Sequence, residues 1–417
     1  MMPVVKLKSC FVCFFNCIAF SGLPIYAAWS KSIIYFGILI LNCFFHTACI
    51  STQPYYNAGA KNWKANVNDS GKVVYSVFLI GDAGMPKFGE YDTVKNFLRS
   101  KLHVAGNKSA ILFMGDNIYP AGMPPENHKK RAAAENSIAS QLEILQDYKG
   151  EVVFIPGNHD WNRSRKGGQD YIIRQEKYLE GTPQNHITFL PDSACPGPVE
   201  LTLAENLVLV LIDSEWWLHK HDKPYGDKSY CSAKNEEQFA NQLKAVLEKN
   251  KNKRVILAAH HPVFSNGTHG GYFPFKDHIF PLASFKKNLF VPLPLLGSIY
   301  VGYRKYFGHR QDIPNYKYKA YCKTITSTLA PYRNIIYASG HEHNLQYFNH
   351  AANHYIVSGS GSKNYYVKRG AGAVYAHNAR GYAVVNLYEN NEVWLEYWGA
   401  EKATGAVQLF YKIKLQF

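Results

Sequence analysis

The chain has no long run of lysine and arginine and no nucleic-acid-binding motif, although its formal charge is +15. Nucleic acid is therefore not an expected partner. The excess reads as a solvated basic surface or as a field attracting small phosphorylated substrates. Beyond residue 50 no two cysteines are closely spaced, which argues against a zinc-knuckle type of structural site in the body. Five of the eight cysteines (Cys10, Cys13, Cys17, Cys43 and Cys49) crowd into the first fifty residues, and only Cys195, Cys231 and Cys322 remain beyond. An exported body could form one disulfide among those three. Cys195 with Cys231 is the expected pair, because both lie in one long stretch between motifs. Charged residues are scarce at 18% against 47% hydrophobic, so global disorder is excluded and a large core is available. There are no internal repeats.

Acidic residues are absent from the first fifty positions, where Lys6 and Lys8 precede the apolar stretch Phe11 to Phe20 and small residues Ala27 and Ala28 follow. That is the layout of a secretory signal. A second apolar stretch behind Lys31, Ile33 to Ile50, is about long enough to cross a bilayer. It contains Thr47-Ala48-Cys49, loosely similar to a lipoprotein cleavage site, with His46 where an aliphatic residue is usual. Signal peptide, lipoprotein and transmembrane anchor all stay open. Each places the body outside the cytoplasm, secreted, periplasmic or attached to a membrane through its N-terminus. The expected organisation is a signal or anchor region at 1–50, a polar linker at 51–72 and one catalytic domain at 73–417.

Within the body, strand-like runs end in Gly-rich or polar loops: Val73–Ile80, Ala110–Met114, Val152–Ile155, Leu207–Ile212, Val255–Ala259 and Ile335–Ala338. Helical spacing separates them at Asp92–Leu102, Ala132–Gln146 and Glu236–Glu248. This alternation argues an α/β body. Further strand candidates, Tyr355–Ser358, Tyr382–Leu387 and Val393–Trp398, follow with little helix between, which suggests a second sheet packed on the first. Residues 272–321, rich in Pro, Tyr, Phe and Lys, read as an insertion forming a lid over a site mouth, with a membrane-touching surface as the alternative.

Chemistry-bearing residues gather after the strands, where open α/β sheets bind ligands. The loops read Gly81-Asp82-Ala83-Gly84, Gly115-Asp116-Asn117-Ile118-Tyr119, Gly157-Asn158-His159-Asp160, His260-His261-Pro262 and Gly340-His341-Glu342-His343. An Asp after a strand is ordinarily a helix cap, and two histidines alone are ordinary surface residues. Five such loops in this order deliver carboxylates, amide and imidazoles that suit metals with open coordination positions.

These blocks resemble the purple acid phosphatases within the calcineurin-like metallophosphoesterases, over roughly Val73 to Gly361. The small, mammalian-type enzymes are most similar, through HHPVFSNGTHG, GHEHNLQYF and the turn Ser358-Gly359-Ser360-Gly361. The resemblance implies a four-layer α/β/β/α sandwich of two packed mixed β-sheets flanked by helices. It also implies Fe(III) held by Asp82, Asp116, Tyr119 and His343. Asp116 would bridge to a second ion, Fe(II), Zn(II) or Mn(II), held by Asn158, His260 and His341. Most related enzymes carry a His two positions after the first Asp, where this chain has Gly84, and Tyr119 would supply a phenolate instead. Two metals would activate water for attack on phosphorus and clamp the departing oxygen, with activity at acidic pH. His159 and His269 would act on the substrate side. Asp160 would orient a ligand, and Asn117 would bond the nucleophile or substrate. His261 stands where close relatives often carry Tyr, and replaces His260 if the alignment is miscounted. His309, His350 and His354 lie outside the pattern. The expected reaction is phosphate monoester hydrolysis. Diester or nucleotide pyrophosphate cleavage and a non-catalytic surface module are the alternatives.

Overall fold

The computed structural model describes residues 53–67, 71–86, 92–183, 186–284, 286, 288–402 and 404–417. The expected signal or anchor region, 1–50, lies outside them, and residues 51–417 form one compact unit. Among the described residues no helix is long and apolar enough to cross a membrane.

From Tyr55 the chain runs through β1 (Tyr55–Tyr56), β2 (Val73–Ile80), α1 (Thr93–Ala105), β3 (Ser109–Met114), α2 (Arg131–Leu142) and β4 (Glu151–Ile155). Then come α3 (Gly168–Glu180), β5 (Ile187–Phe189), β6 (Val199–Ala204), β7 (Leu207–Leu211), α4 (Ser214–Leu218), α5 (Glu236–Lys249) and β8 (Arg254–Ala258). An inserted hairpin of α6 (Phe275–Ile279) and α7 (Pro294–Tyr306) leads to α8 (Tyr316–Leu329) and β9 (Ile335–Ser339). The chain closes with β10 (Leu345–His350), β11 (Asn353–Ser358), β12 (Tyr375–His377), β13 (Gly381–Tyr388), β14 (Val393–Ala400) and β15 (Val407–Leu415).

Two mixed sheets result, one of seven strands ordered β15-β14-β13-β2-β3-β4-β5 and one of eight ordered β1-β12-β10-β11-β9-β8-β7-β6. Strands β2 to β5 are parallel in the first, and β7, β8, β9 and β11 in the second. Their apolar runs alternate between two cores, since successive strand side chains point to opposite faces. Val77, Leu79, Leu112, Met114 and Val153 meet Leu209, Leu211, Ile256 and Ala258 between the sheets. Phe78, Ile80, Ile111, Phe113, Val208 and Val210 face the other way, into the core that holds the helices. There they join Val94, Leu98 and Leu102 of α1 and Phe239, Leu243 and Leu247 of α5. Fully burying one such side chain stabilises by about 1.5–3 kcal/mol. The fold is thus the expected sandwich of two packed mixed sheets flanked by helices.

Three expectations change in detail. The linker is docked where it is described: Tyr55 and Tyr56 pair with β12, and Trp63 is buried against Tyr411. Those aromatic residues supply the apolar area that the surrounding Asn, Lys and Ala conceal. The insertion ends before α8, because Tyr318, Tyr321, Ile325 and Leu329 recur at helical spacing and fall in the core. Helix α3 and strands β5, β6, β10, β12 and β15 add to the expected elements. Cys195 and Cys231 form a disulfide, with Cα atoms 5.6 Å apart.

Candidate metal centre

The loops that leave β2, β3 and β4 in one sheet meet those that leave β8 and β9 in the other, so the site straddles both sheets. Turning that tightly places Asp82, Asp116 and His341 at φ of 57°, 55° and 66°. Non-glycine residues rarely adopt this left-handed region, and it costs on the order of 1–3 kcal/mol each. Asp160 offsets part of that cost by tying two loops together. Its carboxylate accepts from Gly157 N at 2.8 Å and from Asn117 N and Ile118 N at 3.1 Å. Glycine is needed at two places for room. A Cβ on Gly157 would lie 2.3 Å from Asp116 N, and one on Gly84 would lie 2.2 Å from the Asn117 carbonyl carbon. No histidine fits at position 84 in this backbone.

All seven candidate ligands come together, in two overlapping sets. In the first, the Tyr119 hydroxyl lies 2.8 Å from Asp82 Oδ1, 2.9 Å from Asp116 Oδ2 and 3.2 Å from His343 Nε2. His343 Nε2 is itself 3.1 Å from Asp82 Oδ1. In the second, Asn158 Oδ1 lies 3.1 Å from both His260 Nε2 and His341 Nδ1, which are 3.2 Å apart. Asp116 belongs to both, because its Oδ1 is 3.4 Å from His260 Nε2.

The donor chemistry fits cations. His260 donates its Nδ1 proton to Met114 O at 2.8 Å, and His341 donates its Nε2 proton to Gln311 O at 2.9 Å. Those bonds turn His260 Nε2 and His341 Nδ1 toward the amide oxygen of Asn158. Burial opposes charge on His260, but Asp116 and Asp82 outweigh it and hold its pKa above the usual histidine range, so a positive charge, proton or metal ion, is favoured among these groups. Burial and neighbouring positive groups hold His341 and His343 well below the usual histidine range, the neutral form that metal ligation needs. Burial, assisted by Asp116, pushes the Asp82 carboxyl up to about 7. Burial also opposes charge on Asp116, but His159 and His260 outweigh it and hold this carboxyl well below its ordinary range. Burial and the two carboxylates push Tyr119 far above 10, so its ionisation there requires a strongly charged cation.

His261 stands beside these groups, its nitrogen within 4.8 Å of those of His260 and His341. Both its nitrogens are occupied, Nδ1 by Ser214 Oγ at 2.8 Å and Nε2 by Gln311 Oε1 at 2.6 Å. His260 is therefore the better placed of the pair. Asn117 does not face the pocket with its amide N–H groups, which go to Ile155 O and Asp160. Its Oδ1, buried and without a hydrogen-bond partner among the described residues, is the one amide atom left for a nucleophile or substrate. His159 and His269 sit at the rim. His159 Nδ1 is 2.6 Å from Pro120 O, which leaves Nε2 at 3.8 Å from Asp116 Oδ2. His269 Nδ1 is 2.8 Å from Asp312 Oδ1, and its ring lies 4.1 Å from that of His341.

Sequence reasoning missed three neighbours. Lys363 places Nζ 3.8 Å from the Tyr119 ring centre, and its position just after the Ser358–Gly361 turn was the available signal. Gln311 and Asp312 reach the site from the end of the insertion, and Arg304 Nη2 of α7 holds Asp312 Oδ1 at 2.6 Å. No motif marks those residues.

Residues 75–351 match the calcineurin-like phosphoesterase family model, and the chain belongs to that family of metal-dependent hydrolases. It is a hydrolase with candidate ligands for the family's dinuclear metal centre. Among solved structures it is similar to GAP50, the anchor in the inner membrane complex of Plasmodium. That match has a TM-score of 0.53 at 15% identity and covers 83% of this chain and 90% of that one. Purple acid phosphatase PPD1 from yellow lupin (Lupinus luteus) seeds gives 0.48 at 12%, covering 83% and 54%. PhoD gives 0.49 at 12%, covering 83% and 72%. At such identities the likeness is one of fold. Comparison with curated proteins gives no match.

Proposed function

We propose that the chain is a purple-acid-phosphatase-type phosphomonoesterase of the small, mammalian-like kind. In this reading Asp82, Asp116, Tyr119 and His343 hold Fe(III). Asp116, Asn158, His260 and His341 hold Fe(II), Zn(II) or Mn(II). The observation that carries it is the Tyr119 hydroxyl, in contact with Asp82, Asp116 and His343 at once. A phenolate is a hard anionic donor, and a cation here would replace the phenol proton now shared with the two carboxylates.

When bound, the two ions supply an acidified water and a charge clamp on the attacking and departing oxygens. The chain's own part is to orient and to move protons. Pro120 O fixes the proton on His159 Nδ1 and leaves Nε2 for the substrate side, while Asp312 does the same for His269. In its doubly protonated form one of these imidazoles would donate its Nε2 proton to the leaving oxygen and return to the neutral ring with Nδ1–H still held, and the other, likewise protonated at Nε2, would steady the phosphoryl group. The Cys195–Cys231 disulfide supports an oxidising compartment, consistent with export through the N-terminal region.

The test is a visible absorption spectrum with metal analysis, alongside parallel assays on a monoester and a diester. A purple or pink band with one iron per centre, and faster monoester turnover, supports the reading. A colourless protein holding zinc or manganese keeps the phosphoesterase and removes the ferric assignment. Faster diester turnover sinks the monoesterase.

A further inference from the structure

Ten of the eighteen large hydrophobic residues exposed among the described residues fall within residues 272–310. Surface apolar residues are common singly, but a cluster of this kind marks an interaction site. Helix α7 shows how it is built. Leu295, Leu296, Ile299, Tyr306 and Phe307 recur at helical spacing and are 73%, 58%, 59%, 66% and 69% exposed. The opposite face, with Gly297 and Val301, is buried. An amphipathic helix normally turns its apolar stripe inward. Here the inward position is fixed by close packing on α6, since a Cβ on Gly297 would lie 2.1 Å from His278 O. Arg304 of the same helix is paired with Asp312, so the outward stripe belongs to a platform pinned to the site.

The charge around the stripe is mainly positive. Residues 272–310 contain six lysines and arginines and a single acid, Asp277. Lys276, Lys286 and Lys305 are exposed. Apolar and aromatic side chains on a helix, interleaved with basic ones, are the chemistry of an interfacial segment seated among anionic headgroups. We propose that this hairpin docks on an anionic lipid bilayer, with α7 lying in the headgroup layer. A partner protein would have to offer an apolar groove rimmed by acids. The bilayer meets both requirements over any area.

The body, residues 51–417, contains both cores and is suitable for the test. Flotation with vesicles of phosphatidylcholine alone, and with about a third phosphatidylserine, is compared for the wild-type body and a Leu295→Ser, Leu296→Ser, Ile299→Ser, Phe307→Ser variant. Thermal melting confirms that the variant folds. Wild-type binding to the anionic vesicles, lost at least about tenfold in the variant and weakened by salt, is the expected result. Equal binding by the variant overturns the proposal. So does a wild-type body that stays in solution as a monomer, and so does one that forms a dimer the variant cannot form, which would make this face an interface between copies. Deuterium exchange that shows residues 290–307 protected only when residues 1–50 are present, without lipid, would assign the face to the chain's own N-terminus.

Discussion

Tyr119 donates its phenol proton to Asp116 Oδ2 over 2.9 Å, while the other oxygen of that carboxylate stands 3.4 Å from His260 Nε2. One side chain thus faces both sets of candidate ligands. Asp116→Asn should therefore lose both metal equivalents, whereas His341→Ala should lose only one. Metal analysis after gel filtration distinguishes them, and equal loss in the two variants would remove Asp116 from the shared position. A strong chelator should abolish phosphatase activity in the wild type, and added metal should restore it.

Tyr119→Phe removes the oxygen and keeps the ring beside His159 and Lys363. The visible band should vanish, with the metal held by Asn158, His260 and His341 retained. A variant spectrum unchanged from wild type would mean that the phenol is no ligand.

His269 depends on the insertion for its orientation, through Asp312 and Arg304. His269→Ala should lower kcat by about 10²–10⁴-fold if the imidazole transfers a proton. Asp312→Asn should lower it by about 10–100-fold, by analogy with other carboxylate–histidine pairs, with little change in KM and a shifted pH–rate limb. The double variant should be no slower than His269→Ala, because both changes act through one group. Additive losses would give Asp312 a separate, structural effect.

The strand ends were the legible part of this site. Four of the five ligand-bearing loops open on a glycine after an apolar run, His260 follows Ala258-Ala259 directly, and Val73–Ile80 is bounded as the sequence suggests. Local spacing could not choose between His260 and His261. Their difference lies in Ser214 and Gln311, which are 47 and 50 residues from His261. Asp312 and Lys363 were illegible for the same reason, since their partners are distant in sequence and no local period announces them. Helices α3 and α8 were obscured by buried Gln and Tyr at the core-facing positions, which weaken the apolar signal: Gln175 in one, Tyr318 and Tyr321 in the other. The seat of Trp63 against Tyr411 was hidden by the polar residues around it.

The disulfide closes a loop between residues 36 apart. Chain-entropy arguments give about 3–4 kcal/mol for a loop of that length. Cys195→Ser with Cys231→Ser should lower the melting temperature by several degrees, and reductant should do the same to the wild type only. Metal content should be unchanged at low temperature, because neither cysteine touches the candidate ligands. A melting point insensitive to both treatments would show that the bridge adds nothing.

His354 offers a stability switch away from the metal pocket. Its Nδ1 accepts from Tyr347 Oη at 2.7 Å, and Nε2 donates to Gln416 O at 2.9 Å at the end of the C-terminal strand. Burial, against the help of Gln416 O and with Arg254 nearby, pushes its pKa down to about 4 from an ordinary 6.5. The folded protein therefore binds fewer protons here than the unfolded chain between those values, so stability rises with pH across that window. The contribution is complete above about pH 6.5, falls as pH drops through the window and is gone below about 4. A shift of this size corresponds to about 3 kcal/mol. Thermal melts from pH 7.5 to 4.5 should include that loss, and His354→Gln, which cannot take up a proton, should make the curve shallower, with the buried His341 and His343 supplying the remaining slope. The C-terminal strand should open first, read as faster deuterium exchange near Gln416. A variant with the same pH dependence as wild type would place the titrating group elsewhere.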